Sequence, residues 1–182
     1  MGQSASLYAL NAQSFTALPT TGPIAFNDLQ AAVYHVRFDK SFMALEFLLQ
    51  RLRPDSQELL SNIFGAPHSV QAPPFSGIDF EWLNEEAQEA FFEYLDHAIQ
   101  YVTPTEAAAI SAVLRAITPA ELGAAYDPSL LNQHRIYPEI WHADEAPDRA
   151  FNRRHLVSDF TRLQAFFAQA TAAQLYVLNA IG

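Results

Sequence analysis

The sequence predicts an α+β fold, in which a small mixed sheet is packed with several helices in a single domain. Three observations support this prediction. Short apolar runs typical of strands lie near both ends of the 182-residue chain, apolar residues recur at helical spacing through most of the remainder, and the two patterns show no strict alternation. Because 50% of the residues are hydrophobic, the chain can bury a core without a disulfide or a metal.

The first elements follow from apolar runs and helix-capping residues. The segment 4–10 is short, apolar and free of breakers, which predicts a strand, and Asn11 is a candidate N-cap for a short helix. Residues 27–38 fit both helical spacing and the composition of a strand, so both assignments stay open. Asp39 is predicted to cap an apolar helix that Pro54 ends.

The middle of the chain is predicted to alternate helices with loops. Asp55 is expected to cap a shorter helix that ends at Gly65. Residues 66–77 contain three prolines and predict a long surface loop. Asn84 then caps a helix with an apolar and an acidic face, and residues 99–102 form a short strand.

Two capping boxes mark the helices that follow. Thr103 and Thr118 are each followed by proline at the first helical position and by glutamate three residues later, which predicts helices over 104–116 and 119–125. Asp127 opens one further helical turn.

The last third is predicted to contain an extended segment, the longest helix and a buried strand. Residues 135–141 are predicted to form the extended apolar segment, which Pro138 breaks. Tyr137 and Trp141 are expected to pack in the core, or to act as interface anchors if they are exposed. Helical spacing then covers 146–172, and 175–181 closes the chain as a strand.

The charge of the chain is strongly segregated. Residues 54–114 hold ten acidic side chains and neither lysine nor arginine, whereas the rest of the chain holds ten acids and ten bases. The whole net charge of −10 therefore lies in this segment, and its densest part runs from Asp79 to Asp96. Like-charged pairs three or four residues apart on a helix cost about 0.2–0.5 kcal/mol each.

Three stretches of the chain carry a family resemblance. They are Val36–Leu49, with the sequence VRFDKSFMALEFLL, Tyr101–Glu106, and Ile136–Trp141 with the long amphipathic helix and terminal strand behind it. Together they resemble the YfbM-like bacterial proteins, a domain of unknown function. The resemblance implies one mixed domain in a cytoplasmic bacterial protein and transfers no catalytic residues. The occurrence of family members near secreted-toxin loci implies that some are immunity proteins.

Composition excludes several classes of function. The chain has no cysteine, which excludes disulfides and thiolate metal sites, and it has no glycine-rich phosphate loop, so no cofactor is predicted. Its acidic character argues against binding nucleic acid or an anionic membrane. The absence of a basic, apolar leader and of any apolar run of about 18 residues favours the cytoplasm.

Candidate site residues outside the acidic segment have simpler structural explanations. His142, Asp144 and Glu145 could ligate a metal, but their spacing matches no zinc motif, and Asp144, Glu145 and Asp148 suit the start of a helix. Capping is therefore favoured over metal binding at these positions.

Two further groups are also interpreted structurally. His155 and Asp159 are expected to form a surface ion pair, with Ser158 off their shared face. Asp39 and Lys40, at the opening of a helix, are explained by capping and by a solvated lysine.

The leading functional hypothesis is a non-enzymatic binding domain of the immunity type, whose acidic face blocks a basic toxin or effector. The proposed partner-binding residues are the acidic side chains of the densest segment: Asp79, Glu81, Glu85, Glu86, Glu89, Glu93 and Asp96. The alternatives are a small enzyme or ligand-binding domain with a pocket near residues 66–77 and 137–144, a scaffold without a discrete partner, and an acidic face that serves only solubility.

Overall fold

The structure is a computed structural model that describes residues 3–22, 24–71, 84–144, 146 and 149–182, with side chains at all of these except 26, 93 and 95–97. Its sheet contains strands β1 (Ser4–Leu10), β2 (Tyr34–Asp39), β3 (His68–Ser69), β4 (Gln100–Val102) and β5 (Tyr176–Ile181). The strands lie in the order β2-β1-β5-β4-β3, and every neighbouring pair is antiparallel.

Helices account for most of the remaining described chain. In chain order they are α1 (Ala12–Thr16), α2 (Phe26–Leu29), α3 (Phe42–Leu52), α4 (Gln57–Ser61), α5 (Glu85–His97), α6 (Pro104–Arg115), α7 (Pro119–Ala125), α8 (Pro128–Gln133) and α9 (Arg153–Ala172), and a 3-10 turn (Pro54–Ser56) precedes α4. Helix α9 packs against α6, α7 and β2, so it lies at the centre of the helical layer.

The core forms on both faces of the sheet because successive strand residues point to opposite sides. Leu7, Val36 and Val177 face the larger core, which α3, α6 and α9 complete. Leu10 and Leu178 face a smaller core that Phe15 of α1 joins, its ring stacked on Tyr176 at 4.0 Å. Full burial of a single Leu or Phe side chain stabilises a folded protein by roughly 1.5–3 kcal/mol, so apolar packing makes the dominant contribution to the stability of this fold.

The predicted α+β class is confirmed, and the capping signals explain why many boundaries agree with the prediction. Asn11 and Asn84 accept bonds from Ser14 N and Ala87 N, at 2.8 and 2.9 Å. Both predicted capping boxes are present, at Thr103 and Thr118. A cap satisfies backbone N–H groups that a helix leaves unbonded, so it fixes the start of the helix locally and is readable from sequence.

Residues 27–38, for which two assignments were open, divide between both of them. They contribute the end of α2 and most of β2. The described part of the predicted loop 66–77 contains β3, a strand of two residues that is too short to give a pattern in the sequence.

The prediction that Asp39 caps α3 is wrong. Asp39 ends β2 and pairs with Arg37, at 2.8 Å between Oδ1 and Nε. Lys40 then adopts a positive φ of 63°, and Ser41 takes the N-cap position without a side-chain capping bond. Asp55 likewise lies inside the 3-10 turn, one residue before the N-cap of α4, Ser56.

The predicted extended segment and the start of the long helix also need correction. Residues 135–141 form turns, with positive φ at Arg135 and Glu139, although Trp141 is buried as expected. Helix α9 starts at Arg153 rather than at residue 146, so Asp144 does not cap it. Glu145 and Asp148, predicted as helix-start acids, lie outside the described residues.

Candidate functional site

The acidic face of α5 is the first candidate site. Asn84 fixes the start of the helix, and Glu85 and Glu86 in the first turn face the positive end of the helix dipole. Glu85, Glu86 and Glu89 are all exposed. Because residues three and four apart share a helix face, these three carboxylates form one negatively charged surface, which we call the α5 acidic face.

Arginine side chains do not neutralise this face within the described part of the chain. The arginines with described carboxylate partners pair elsewhere: Arg37 with Asp39, Arg53 with Glu121, Arg149 with Asp144 and Arg162 with Asp159. No ion pair among described residues involves Glu85, Glu86 or Glu89.

The structure places the other predicted partner-binding residues only in part. Glu93 and Asp96 belong to α5, but their side chains are not described. Asp79 and Glu81 lie outside the described residues. The α5 acidic face is therefore defined by the three carboxylates near the start of the helix.

Phe92 is an exposed aromatic residue within the α5 acidic face, and it was not among the predicted partner-binding residues. Its side chain is 55% exposed. At about 100° per residue, Phe92 lies within about 20° of Glu85 and about 60° of Glu89 around the helix axis. The signal was present in the sequence, since an aromatic residue seven positions after Glu85 breaks the polar face. Aromatic residues, phenylalanine among them, are enriched at protein interfaces.

The opposite side of α5 is held to the fold through Gln71. The Tyr94 hydroxyl donates to the Gln71 carbonyl at 3.3 Å, and the Ile99 N–H donates to Gln71 Oε1 at 3.0 Å. Gln71 itself is buried. These bonds orient the helix so that its acidic side remains directed to solvent.

The second candidate is a cleft of about 370 Å³ beside the start of α9. Arg149, Arg154, His155 and Ser158 line it. Both ring nitrogens of His155 are occupied, since the Phe151 N–H donates to Nδ1 at 3.1 Å and Nε2 lies 3.3 Å from Asp159 Oδ2. Among the described lining residues, the histidine therefore has no free nitrogen with which to activate Ser158.

His155 and Asp159 pair as predicted, but the expected surface location is wrong, because Asp159 is only 3% exposed. Its carboxylate accepts a 2.5 Å bond from the Ser41 hydroxyl and a 2.9 Å bond from Arg162 Nη1, besides its contact with His155. A buried charge is tolerated when it is paired and hydrogen-bonded. The spacing of Asp159 between Leu156 and Leu163 on the apolar side of the helix was the available signal.

Metal ligation has no support among the described side chains, which contain no group of three residues able to hold an ion together. His142 forms a backbone bridge with Asn152, and Asp144 binds Arg149.

Over the described residues, no single helix is long and apolar enough to cross a membrane. Helices α6 and α7 would together have the necessary length and apolar composition, but they are bent by 73° at their junction.

Comparison with known proteins shows what the fold resembles. The family model described as a domain of unknown function (DUF1877) matches residues 1–180. The crystal structure of YfbM from Escherichia coli, a protein of unknown function, is similar over 98% of this chain and 99% of that chain, with a TM-score of 0.65 and 16% identity. No curated protein matches the sequence. At this identity the similarity to YfbM supports the fold alone.

Proposed function

Because the chain belongs to the DUF1877 family of domains of unknown function, we propose its function from its own surface: a non-enzymatic protein-binding domain that docks a basic partner on the α5 acidic face. The observation that carries the proposal is the set of exposed, unpaired carboxylates Glu85, Glu86 and Glu89, within the described residues, around the exposed ring of Phe92.

The energetics favour recognition over a face kept only for solubility. Like-charged neighbours at Glu85, Glu86 and Glu89 oppose helix formation by a few tenths of a kcal/mol for each pair. A cationic protein would relieve this repulsion on binding and would be steered towards the face during diffusion. Solubility alone needs no such concentration of one sign, since interspersed charges serve it equally well.

The partner is proposed to be a basic protein such as a cognate toxin or effector. A toxin that acts on nucleic acid needs a cationic groove, because phosphate contacts dominate the affinity for nucleic acid. An acidic helix that occludes such a groove would block substrate by charge competition. The family resemblance to proteins encoded near toxin genes supports this choice of partner.

Co-purification with the product of the neighbouring gene tests the proposal. The complex is expected to weaken steeply as salt rises from about 50 to 500 mM, because screening shortens the range of the attraction. The E85K/E89K variant should slow association about tenfold or more, since steering contributes roughly 10–1000-fold to association rates. Surface plasmon resonance at two salt concentrations measures both effects.

The matched control is D55K/E58K, which changes the net charge by the same amount at two exposed positions outside α5. It should leave association nearly unchanged. If both variants slowed association equally, the effect would depend on total charge alone, which would rule out a site on α5. An interaction whose strength did not change with salt would contradict the proposal as a whole.

Phe92 provides a second test that does not depend on charge. F92A should raise the dissociation rate by about 5–30-fold, because truncation of an interface anchor costs roughly 1–2 kcal/mol. The free variant should keep the circular dichroism spectrum of the parent protein. If F92A bound as tightly as the parent, contact with this ring would be excluded.

A further inference from the structure

Strand β2 lies at an edge of the sheet, and some of its outward backbone groups have no hydrogen-bond partner among the described residues. Ser4 and Gly182 exchange both backbone bonds, at 2.6 and 3.0 Å, which makes them a hydrogen-bonded pair between β1 and the residue after β5. In antiparallel sheets such pairs alternate, so the even-numbered residues of β1 bond towards β5 and the odd-numbered ones towards β2. The Ala9 carbonyl, which accepts from Val33 N at 2.8 Å, agrees with this alternation.

The same alternation fixes which groups of β2 face away from the sheet. Val36 and Phe38 pair with odd-numbered residues of β1 and bond inwards, so the backbone groups of His35 and Arg37 point outwards. His35 and Arg37 each direct one N–H and one carbonyl group outwards. Within the described chain, only the Arg37 carbonyl among these four groups has a partner, because it accepts a bond from Arg162 Nη2 at 3.0 Å. Both N–H groups and the His35 carbonyl remain available to another strand.

A groove of about 240 Å³ lies between this edge and α9. Residues 34–36 form one side, and Arg162, Ala165 and Gln169 form the other, with the buried Phe166 at the base. The three wall residues of α9 are exposed, and the small side chain of Ala165 leaves room above the base. A strand added to an edge lies about 4.8 Å from its neighbour, so it would run along this groove.

The rim of the groove presents an exposed guanidinium group although the whole chain is acidic. Half of the Arg162 side chain is exposed, while its partner Asp159 is turned into the core. The other nearby carboxylate, Asp39, is paired with Arg37 at the far end of the strand. The pKa of His35 is lowered mainly by its partial burial and to a smaller extent by the positive charges of Arg37 and Arg162.

We propose that the edge of β2 and the flank of α9 form a second binding site, which takes an extended peptide segment bearing a carboxylate side chain. The peptide backbone would bond the free N–H groups of His35 and Arg37 and the free C=O group of His35, as in other cases where a peptide adds a strand to a sheet. Its carboxylate would face the exposed guanidinium of Arg162. The site is separate from the α5 acidic face and has the opposite charge preference.

The test uses the full-length protein and a pool of octapeptides with glutamate fixed at the fourth position and the other positions randomised. Selected peptides are synthesised and titrated by fluorescence anisotropy. We expect A165W, which fills the groove, to weaken binding tenfold or more, whereas A168W, at another exposed alanine of α9, should bind like the parent. Replacement of the fixed glutamate by lysine should also weaken binding about tenfold.

Two further comparisons isolate the backbone bonds. R37P removes an outward N–H without breaking the ladder to β1, as proline does at sheet edges, and R37A keeps that N–H while removing the same side chain. Binding about tenfold weaker in R37P than in R37A is expected, with equal circular dichroism spectra. N-methylation of the peptide should have a similar effect.

Four outcomes would overturn the proposal: no peptide enriched over the A165W protein, equal binding to A165W and A168W, equal binding to R37P and R37A, or preference for lysine over glutamate. Self-association of the parent chain that A165W abolishes would assign the edge to a second copy instead.

Discussion

Asp159 illustrates how one buried charge depends on residues that are distant in sequence. His155 and Arg162 lie on the same helix, four and three residues away, and helical spacing alone predicts that they can reach the carboxylate. Ser41 lies 118 residues earlier, and no local pattern links it to α9. The pairing of Asp159 with His155 and Arg162 was therefore predictable, and its position between Leu156 and Leu163 indicated burial. The bond from Ser41 was not predictable, because it depends on where the β2–α3 connection packs.

Ser41→Ala should destabilise the protein by about 1–3 kcal/mol, because it leaves a buried carboxylate with one donor fewer. Urea unfolding at pH 7 measures the change. Ser158→Ala, at an exposed serine of the same helix, should stay within about 0.5 kcal/mol of the parent. Equal effects of the two substitutions would show that the Ser41 bond contributes nothing specific.

Glu46 of α3 offers a prediction about pH. Burial raises the pKa of this carboxyl group, while a bond from Gln50 Nε2 at 3.0 Å lowers it in part. A carboxyl group whose folded pKa exceeds its unfolded value contributes stability at low pH that is lost as pH rises through the folded pKa. Glu46→Gln cannot ionise, so it should be more stable than the parent at pH 7 and equal to it near pH 3.

Unfolding midpoints in urea at the two pH values check this expectation. The amide of the variant can still accept the Gln50 bond, so packing changes little. A variant less stable than the parent at pH 7 would contradict the inferred direction of the shift.

At the scale of elements, the start of a helix was predictable where a single capping residue determines it. It was not predictable where two nearby segments both carry residues typical of a helix start. Thr103 and Thr118 satisfy the N–H groups of their own helices, and both helices start where expected. Asp144, Glu145 and Asp148 have the composition expected of a helix start, but α9 begins after Asn152. Asn152 is favoured because its amide also bonds two carbonyls of the preceding loop, which the local sequence does not reveal.

Asn152→Ala should cost about 1–3 kcal/mol, since it removes a cap and two buried donor bonds together. Oδ1 accepts from His155 N at 2.9 Å, and Nδ2 donates to the carbonyls of Arg149 and Ala146 at 2.9 and 3.2 Å. Asn152→Asp keeps the capping oxygen but loses both donors. If the loop bonds matter, the aspartate variant will be nearly as unstable as the alanine variant in thermal unfolding.

At the scale of the whole molecule, charge is divided between an acidic helix and basic groups placed elsewhere. The segregation was fully visible in the sequence, because it depends only on the order of residues. The groove beside Arg162 was not visible in the sequence, since Arg37 and Arg162 meet only through the packing of α9 against β2. Surface sites built from one helix are thus readable from sequence, and sites built between elements are not.

Glu89→Lys should stabilise the free protein by a few tenths of a kcal/mol at low salt, because it converts repulsion with Glu85 and Glu86 into attraction. The gain should shrink at about 1 M salt. Thermal unfolding at the two salt concentrations measures it. A variant that is more stable but no longer binds a basic partner would indicate a face selected for binding rather than for solubility. Unchanged or lower stability at low salt would contradict the expected repulsion among Glu85, Glu86 and Glu89.

The sheet order has a consequence for the time course of folding. Strand β5, formed by residues 176–181, lies between β1 and β4, so β1 completes its pairing only after a segment much later in the chain has been synthesised. Contacts between such distant segments slow folding, because a large loop must close before they form. During synthesis β1 and β2 can pair early, but the side of β1 that faces β5 stays open until β5 emerges, and chaperones would have most to protect in that interval.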